Sequence, residues 1–153
     1  MTTGAPQAPN PGQSFIVKGQ YIKDLSFENP HAPHSLVATS AKPAIDVNVD
    51  LKADKLQDNI YEMTLHIGVR AVSGDNTMFL VDLAYAGIFQ LTNIPAERVE
   101  PLILIDCPFV LFPFARRVIA DITRDGGFPP LMLDPIDFQA LYIQNKGRQA
   151  AAS

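Results

Sequence analysis

Four segments of the chain alternate apolar and polar residues with a period of two, and this pattern limits the possible folds more than any other feature. The alternation is cleanest over residues 45–52, where Ile, Val, Val and Leu alternate with Asp, Asn, Asp and Lys. Similar segments cover residues 15–27, 61–71 and 77–91. Successive side chains of a strand point to opposite faces, so each segment predicts a β-strand with one face on a core.

Turn-forming residues separate the predicted strands. Residues 53–59 (ADKLQDN) are polar and predict the turn of a hairpin between the second and third strands. Residues 73–76 (SGDN) predict the next turn. Residues 29–43 form a long connection between the first two strands. The prediction is a four-stranded antiparallel meander with a long crossover loop between strands one and two.

The first and last strands differ in how their faces are composed. Asp24 and Glu28 share the polar face of the first strand, and its apolar face is predicted to carry Phe15, Val17, Tyr21, Leu25 and Phe27. The last strand is apolar on both faces. An antiparallel strand of that kind must be covered on both sides, so a partner subunit is expected to supply part of the cover.

The C-terminal part of the chain has the periodicity of helices, which makes the fold class α+β. Residues 93–97 hold a helix start signal, and Pro101 limits that helix to a short piece. A longer helix is predicted after Cys107 and Pro108, and the glycine pair at 126–127 is predicted to end it. Asp134 and Pro135 then predict the N-cap and first turn of a last helix over residues 136–146.

The two chain termini and the amino-acid composition limit the cellular compartment and the kinds of binding partner. The 153 residues suit one domain, predicted at residues 15–143, between a disordered Pro-rich arm at 1–14 and a flexible tail at 144–153. The arm lacks the pattern of a signal peptide, and no apolar run reaches 18 residues, so we predict a cytoplasmic protein. A net charge of −4 without a Lys/Arg cluster argues against nucleic-acid and membrane surfaces.

Residue types that carry catalysis or bind metals are sparse. His31 and His34 have no suitable third ligand nearby, so neither a metal nor another cofactor is predicted. No phosphate-binding glycine motif is present. Cys107 is interpreted as a buried structural cysteine, and His66 as either a solvated residue or a cross-strand partner on a polar strand face. A binding protein is therefore favoured over an enzyme or small-ligand carrier that uses His66 and the hairpin acids.

Two features of the sequence, a group of acidic residues and an excess of apolar residues, are consistent with binding. Asp24 and Glu28 share one face, and Asp82 can join them from another strand. These acids either form a patch that binds a basic partner or belong to an ordinary solvated sheet face. Three segments hold more apolar residues than their positions require: the loop around Leu36, residues 45–51, and the last helix. Their side chains either line a binding groove or belong to the hydrophobic core.

Several stretches, in order, carry a resemblance to a known family. They are residues 21–28 (YIKDLSFE), 29–34 (NPHAPH), 61–62 (YE), 87–89 (GIF), 107–116 (CPFVLFPFAR), 127–131 (GFPPL) and 135–141 (PIDFQAL). Through them the chain resembles the SecB family of bacterial protein-export chaperones over about residues 15–142. The chain departs from relatives in having no Trp, with residues 39–41 in the loop region where relatives can carry one.

The resemblance implies an ATP-independent chaperone that binds unfolded preproteins and delivers them to the SecA motor. It implies a homotetramer, a dimer of dimers, whose assembly is influenced by Val81, Leu83 and Tyr85. It also places SecA contacts at Asp24, Glu28, Leu80 and Asp82. The corresponding peptide groove is predicted at Leu36, Val37, Ile45, Val47, Val49, Phe138, Leu141 and Tyr142. A SecB-like chaperone that controls a toxin–antitoxin pair is the alternative within the same fold.

Overall fold

The computed structural model describes residues 12–37 and 42–152 of the chain. Most of the predicted arm, residues 1–11, lies outside these ranges. The loop segment at residues 39–41, where relatives can carry a Trp, also lies outside them.

A single antiparallel sheet contains the four predicted strands, which confirms the α+β prediction. The strands are β1 (Ser14–Glu28), β2 (Ala44–Gln57), β3 (Ile60–Ser73) and β4 (Asn76–Thr92). Their order across the sheet is β1-β4-β3-β2, so only β2, β3 and β4 form a simple meander. The predicted four-stranded meander is corrected at one point, because β1 pairs with β4. A strand that is apolar on both faces suits a central position, whereas the charged row of β2 suits an edge.

The hairpin between β2 and β3 is longer than predicted. Residues 53–57 continue β2, with Ala53 paired to Met63 and Lys55 to Tyr61. The turn is confined to Asp58 and Asn59, and Asn59 adopts a positive φ of 66°. Polar residues are tolerated in this part of the strand because β2 is an edge strand with solvent beside it.

Two irregularities in β1 change which of its residues share a face. The register with β4 shifts between Val17 and Gly19 and again between Ile22 and Asp24. Each extra residue moves the following side chains to the other face, and the second shift restores the original order. Tyr21 lies between the two shifts, so it shares a face with Asp24 and not with Val17, which corrects the prediction.

The first two predicted helices form one continuous helical segment. Helix α1 (Ala96–Pro101) leads directly into a π-helical turn (Leu102–Asp106), which leads into α2 (Cys107–Asp125). In a π-turn each N–H bonds to the carbonyl five residues back, so a helix can change its hydrogen-bond pattern without ending. Pro101 thus ends the regular α-helical pattern, as predicted, but not the helical path of the chain.

The last helix, α3 (Phe138–Ala152), begins and ends later than predicted. Its first turn is capped by Asp137, whose Oδ1 accepts a hydrogen bond of 3.0 Å from the backbone N–H of Ala140. The predicted N-cap at Asp134 is therefore wrong. Asp137 directly precedes Phe138, whose buried ring packs edge-on against Phe112 of α2 at 6.1 Å, and this contact fixes where the helix starts.

The core lies between one face of the sheet and α2. Leu111 of α2 lies very close to Gly87 of β4. A Cβ atom on residue 87 would lie only 2.8 Å from Cδ2 of Leu111. Cys107 is fully buried, and burial raises the pKa of its thiol, which confirms the structural interpretation. The other fully buried side chains include Met63, Leu65, Ile67, Leu83, Phe89 and Ile119.

The helices cover only one face of β4. Val81, Leu83 and Tyr85 lie on the helix side and are buried within the single chain. Leu80 and Ile88 lie on the opposite face and are partly exposed. That opposite face, on which none of the described helices packs, is called the open face below. The two-sided apolar pattern is thus explained on one side by the chain's own helices.

A polar contact on the open face ties β1 to β3 across β4. The Tyr21 hydroxyl donates a hydrogen bond to Glu62, and the Lys23 ammonium lies 2.7 Å from Glu62 Oε1. The hydrogen bond from Lys23, followed by that from Tyr21, lowers the pKa of Glu62. Burial, with Glu62 as a further cause, raises the pKa of Tyr21 to about 12. Beneath this contact Ala86, directly opposite Tyr21, is fully buried.

The substitution Glu62→Gln is expected to lower the free energy of unfolding by about 1–2 kcal/mol near neutral pH, because an amide is a weaker acceptor than a carboxylate. The pKa of Glu62 is lowered in the folded state, so its contribution is present above the ordinary value of 4.5 and is lost as the pH falls through the lower folded-state value. Urea unfolding near pH 7 and at about pH 3 should show a smaller effect at the acidic pH. Asp58→Asn, at a side chain 98% exposed, is the control. Equal destabilisation at both pH values would contradict the role of the carboxylate.

Candidate binding surfaces

An apolar trough runs along the helix side of the edge strand β2. The alternate residues of this strand face the helices and form one wall of the trough. Ile45 and Val47 remain 40% and 41% exposed because α2 packs mainly on β3 and β4 and does not reach the edge. An exposed row of β-branched residues is therefore available beside the helices.

The opposite wall comes from the helices, and two hollows lie between the walls. One, of about 250 Å³, is lined by Val49 and Leu51 of β2 and by Leu141 and Tyr142 of α3. The other, of about 270 Å³, is lined by Ala53 together with Ala96, Val99, Glu100, Ile103 and Leu104. The hollows share Glu100 and Leu104, so they adjoin along the strand.

Lys146 closes one side of the first hollow. Its ammonium lies 3.6 Å from Glu100 Oε2 and 5.3 Å from the centre of the Tyr142 ring. Tyr142, followed by Glu100, raises the pKa of Lys146. A cation over an aromatic ring and beside a carboxylate holds α3 next to α1 on the wall of the trough.

The predicted groove residues are not all equally accessible. Val37 is 78% exposed and Leu36 is 40% exposed, and Leu36 also packs against Gly127, the residue of positive φ that follows the C-cap of α2. Phe138 is only 3% exposed, so its ring belongs to the core. Val49, Leu141 and Tyr142 meet in one hollow, as the groove prediction requires.

Sequence reasoning missed part of the helical wall. Val99, Glu100 and Leu104 line the hollows but were not predicted as groove residues. Their signal was present, since Val99 and Ile103 are apolar and four residues apart. The prediction of a helix ending at Pro101 separated them into different elements and concealed the shared face.

The open face of the sheet carries the acidic residues. The register of β1 and β4 places Asp24 opposite Ala84 and Glu28 opposite Leu80, while Asp82 lies opposite Ser26. Directly opposite residues of paired strands point to the same side. Asp24, Glu28, Leu80 and Asp82 therefore share the open face, as the acidic-patch prediction requires. Their role in binding a partner stays a prediction.

Glu28 and Asp82, but not Asp24, border a groove that crosses the strands, with a volume of about 540 Å³. It reaches from Glu28 on β1 to Asp46 on β2 and includes the side chains of Asn48, His66, Arg70, Leu80 and Asp82. His66 Nε2 lies 2.7 Å from Asp82 Oδ1, which confirms the cross-strand role predicted for this histidine. The extent of the groove to β2 was not predicted, because β2 was expected to pair with β1.

Two further properties concern residues 12–37 and 42–152 only. No helix there is long and apolar enough to span a bilayer. No three His, Cys, Asp or Glu side chains there are grouped as in a metal site.

Known proteins similar to this chain share one description. The sequence profile of the family described as preprotein translocase subunit SecB matches residues 7–149. The chain is 52% identical over 147 residues to the protein-export protein SecB of Rhodopseudomonas palustris strain BisB5, covering 96% of this chain and 93% of that protein. It is also 52% identical over 147 residues to the SecB of a Bradyrhizobium species, covering 96% of this chain and 90% of the relative.

A solved structure shows the same fold at low sequence identity. It is a SecB-like chaperone of Mycobacterium tuberculosis in complex with a peptide from an antitoxin. The TM-score is 0.66 at 15% identity, and the match covers 80% of this chain and 90% of that chain. At this identity the similarity concerns the fold alone.

A sheet with helices on one face, an apolar trough at its edge and an acidic open face has the features of a chaperone that binds extended polypeptide. The nearly full-length matches make the assignment specific: the chain belongs to the SecB family of protein-export chaperones.

Proposed function

We propose that this chaperone holds unfolded preproteins in the trough beside β2 without ATP and presents them to SecA through the acidic open face. The observation that carries the proposal is the row of exposed apolar residues on β2 facing the hollows between β2, α1 and α3. The site of action is proposed to be the cytoplasm, where preproteins are made.

The trough suits a client that exposes apolar side chains in an extended chain. Each CH₂ group buried from water contributes about 0.8 kcal/mol whatever the sequence around it. Ile45 and Val47 offer such surface beside the hollows. Recognition of this kind is broad, and it selects proteins that stay unfolded long enough to bind.

The open face suits a cationic segment of a second protein. Asp24 and Glu28 lie on the same side as Asp82, and Leu80 supplies an apolar contact among them. Complementary charge mainly increases the rate and specificity of association. Because the trough and the open face lie on opposite sides of the sheet, client and SecA can be bound at the same time.

The assembly is proposed to be a tetramer, formed as a dimer of dimers. Phe109 and Phe114 on the outer side of α2 are 68% and 48% exposed in the single chain. Two exposed phenylalanines on one helix mark a surface that a partner covers. Val81, Leu83 and Tyr85 lie beneath α2, so we propose that they influence assembly by positioning this helix.

Control of a toxin–antitoxin pair is the less favoured function. The solved structure bound to an antitoxin peptide shares only 15% identity, whereas export proteins share about half of the residues.

The substitution Val47→Asp is expected to weaken binding of an unfolded preprotein by about three- to tenfold, because a charge enters the apolar row. Val47 is partly exposed, so the fold should persist. Asn48→Asp adds the same charge to the next residue, on the other face of β2, and should leave client affinity unchanged. Isothermal titration without nucleotide measures both. Equal affinities for the two variants would contradict the trough as the client site.

The double substitution Asp24→Asn/Glu28→Gln is expected to reduce SecA affinity by about tenfold while client affinity is retained. The control Asp54→Asn/Asp58→Asn removes two charges at the β2–β3 hairpin and should have little effect. Surface plasmon resonance with SecA measures both variants. Wild-type affinity in the first variant would rule out the proposed SecA site.

The substitution Phe109→Asp is expected to convert tetramers to dimers, because it places a charge in the proposed interface. Light scattering should then give about half the wild-type mass. Ile143→Asp changes a residue of α3 that is 62% exposed and should leave the mass unchanged. An unchanged mass for Phe109→Asp would show that this side of α2 is not the interface. Leu83 is unsuitable for this test because it is fully buried in the core.

A further inference from the structure

The contact between His66 and Asp82 joins two strands diagonally across the open face. In the register of β3 and β4, Asp82 lies opposite Gly68, and His66 lies opposite Ala84. A Cβ on residue 68 would meet only the Asn48 Cβ, at 3.8 Å, so the glycine leaves the space beside Asp82 open. The carboxylate can therefore lean toward β3 and meet the imidazole at 2.7 Å.

We propose that His66 is a positioning residue for Asp82, and that it sets how the acidic open face presents this carboxylate to a cationic segment of SecA. The inference rests on the proposed function of the open face. The imidazole Nε2 lies 2.7 Å from Oδ1 of Asp82, and we expect the other carboxylate oxygen to accept a bond from the partner. Holding one rotamer before binding removes part of the ordering cost of association.

Other charged side chains lie near His66 and Asp82. Asp50 of β2 lies directly opposite His66, and Glu62 and Arg70 lie on the same face of β3. Asp46 and Glu28 line the same groove from the two edge strands. Glu62 is bonded to Lys23 and Tyr21, and only Asp82 lies within 4.0 Å of the imidazole among the described acids. The contact with Asp82 is therefore the one that a substitution of His66 removes.

The test compares His66→Ala and His66→Gln with the wild-type full chain, using purified SecA as the probe. At about pH 8, His66→Ala should bind two- to fivefold more weakly, and His66→Gln should bind within twofold of wild type, because its amide N–H can still donate to Asp82.

Controls separate this inference from the proposed function. Lys55→Gln disrupts another exposed ion pair, at the β2–β3 hairpin, and should leave the affinity unchanged. If Asp82→Asn weakens binding but His66→Ala does not, Asp82 contacts the partner without the help of His66 and the inference is overturned. Failure of His66→Gln to restore affinity would also overturn it. If neither Asp82→Asn nor Asp24→Asn/Glu28→Gln weakens binding, the proposed SecA site itself is wrong.

Discussion

Leu111 of α2 packs against β4 at Gly87, where the absence of a side chain allows helix and sheet to approach closely. This contact places α2 over the centre of the sheet, so that its buried residues meet those of β3 and β4. One helix of about 10 Å diameter cannot cover four strands spaced about 4.8 Å apart. The edge strand β2 therefore keeps exposed apolar residues on the helix side. Within residues 12–37 and 42–152, no helix packs on the opposite face.

Both candidate binding surfaces follow from this incomplete cover. On the helix side, the uncovered apolar row of β2 meets α1, the π-turn and α3, which leave hollows rather than a filled core. On the open face, the same strands expose the residues of opposite parity, and these are acidic near Glu28 and Asp82. The two functions proposed for this chaperone therefore use the two sides of one sheet. Neither function needs a second domain.

Much of this arrangement was predictable from particular residues. The alternation over residues 45–52 gave the correct faces for Val49 and Asp50, and the turn residues at 73–76 lie where β3 meets β4. The acidic patch was predicted because Asp24 and Glu28 lie beyond the second irregularity of β1, where the parity is regular again. Tyr21 was placed on the wrong face, because no local pattern marks an extra residue in a strand. Asp134 and Asp137 are both plausible caps, and the packing of Phe138 on Phe112 decided between them.

The sequence alone determined the strands, the helical periodicity, the polar and apolar faces of most elements, and the resemblance to the SecB family, because these depend on neighbouring residues or on ordered motifs. Only the tertiary structure decided that β1 pairs with β4, since strand order depends on which surfaces pack best over long chain separations. Only the tertiary structure also brought His66 to Asp82 and Glu100 to Lys146. The first contact depends on the register of the strands, and the second depends on where α3 lies beside α1. A shift of one residue would break either contact, and no single segment of the chain specifies them.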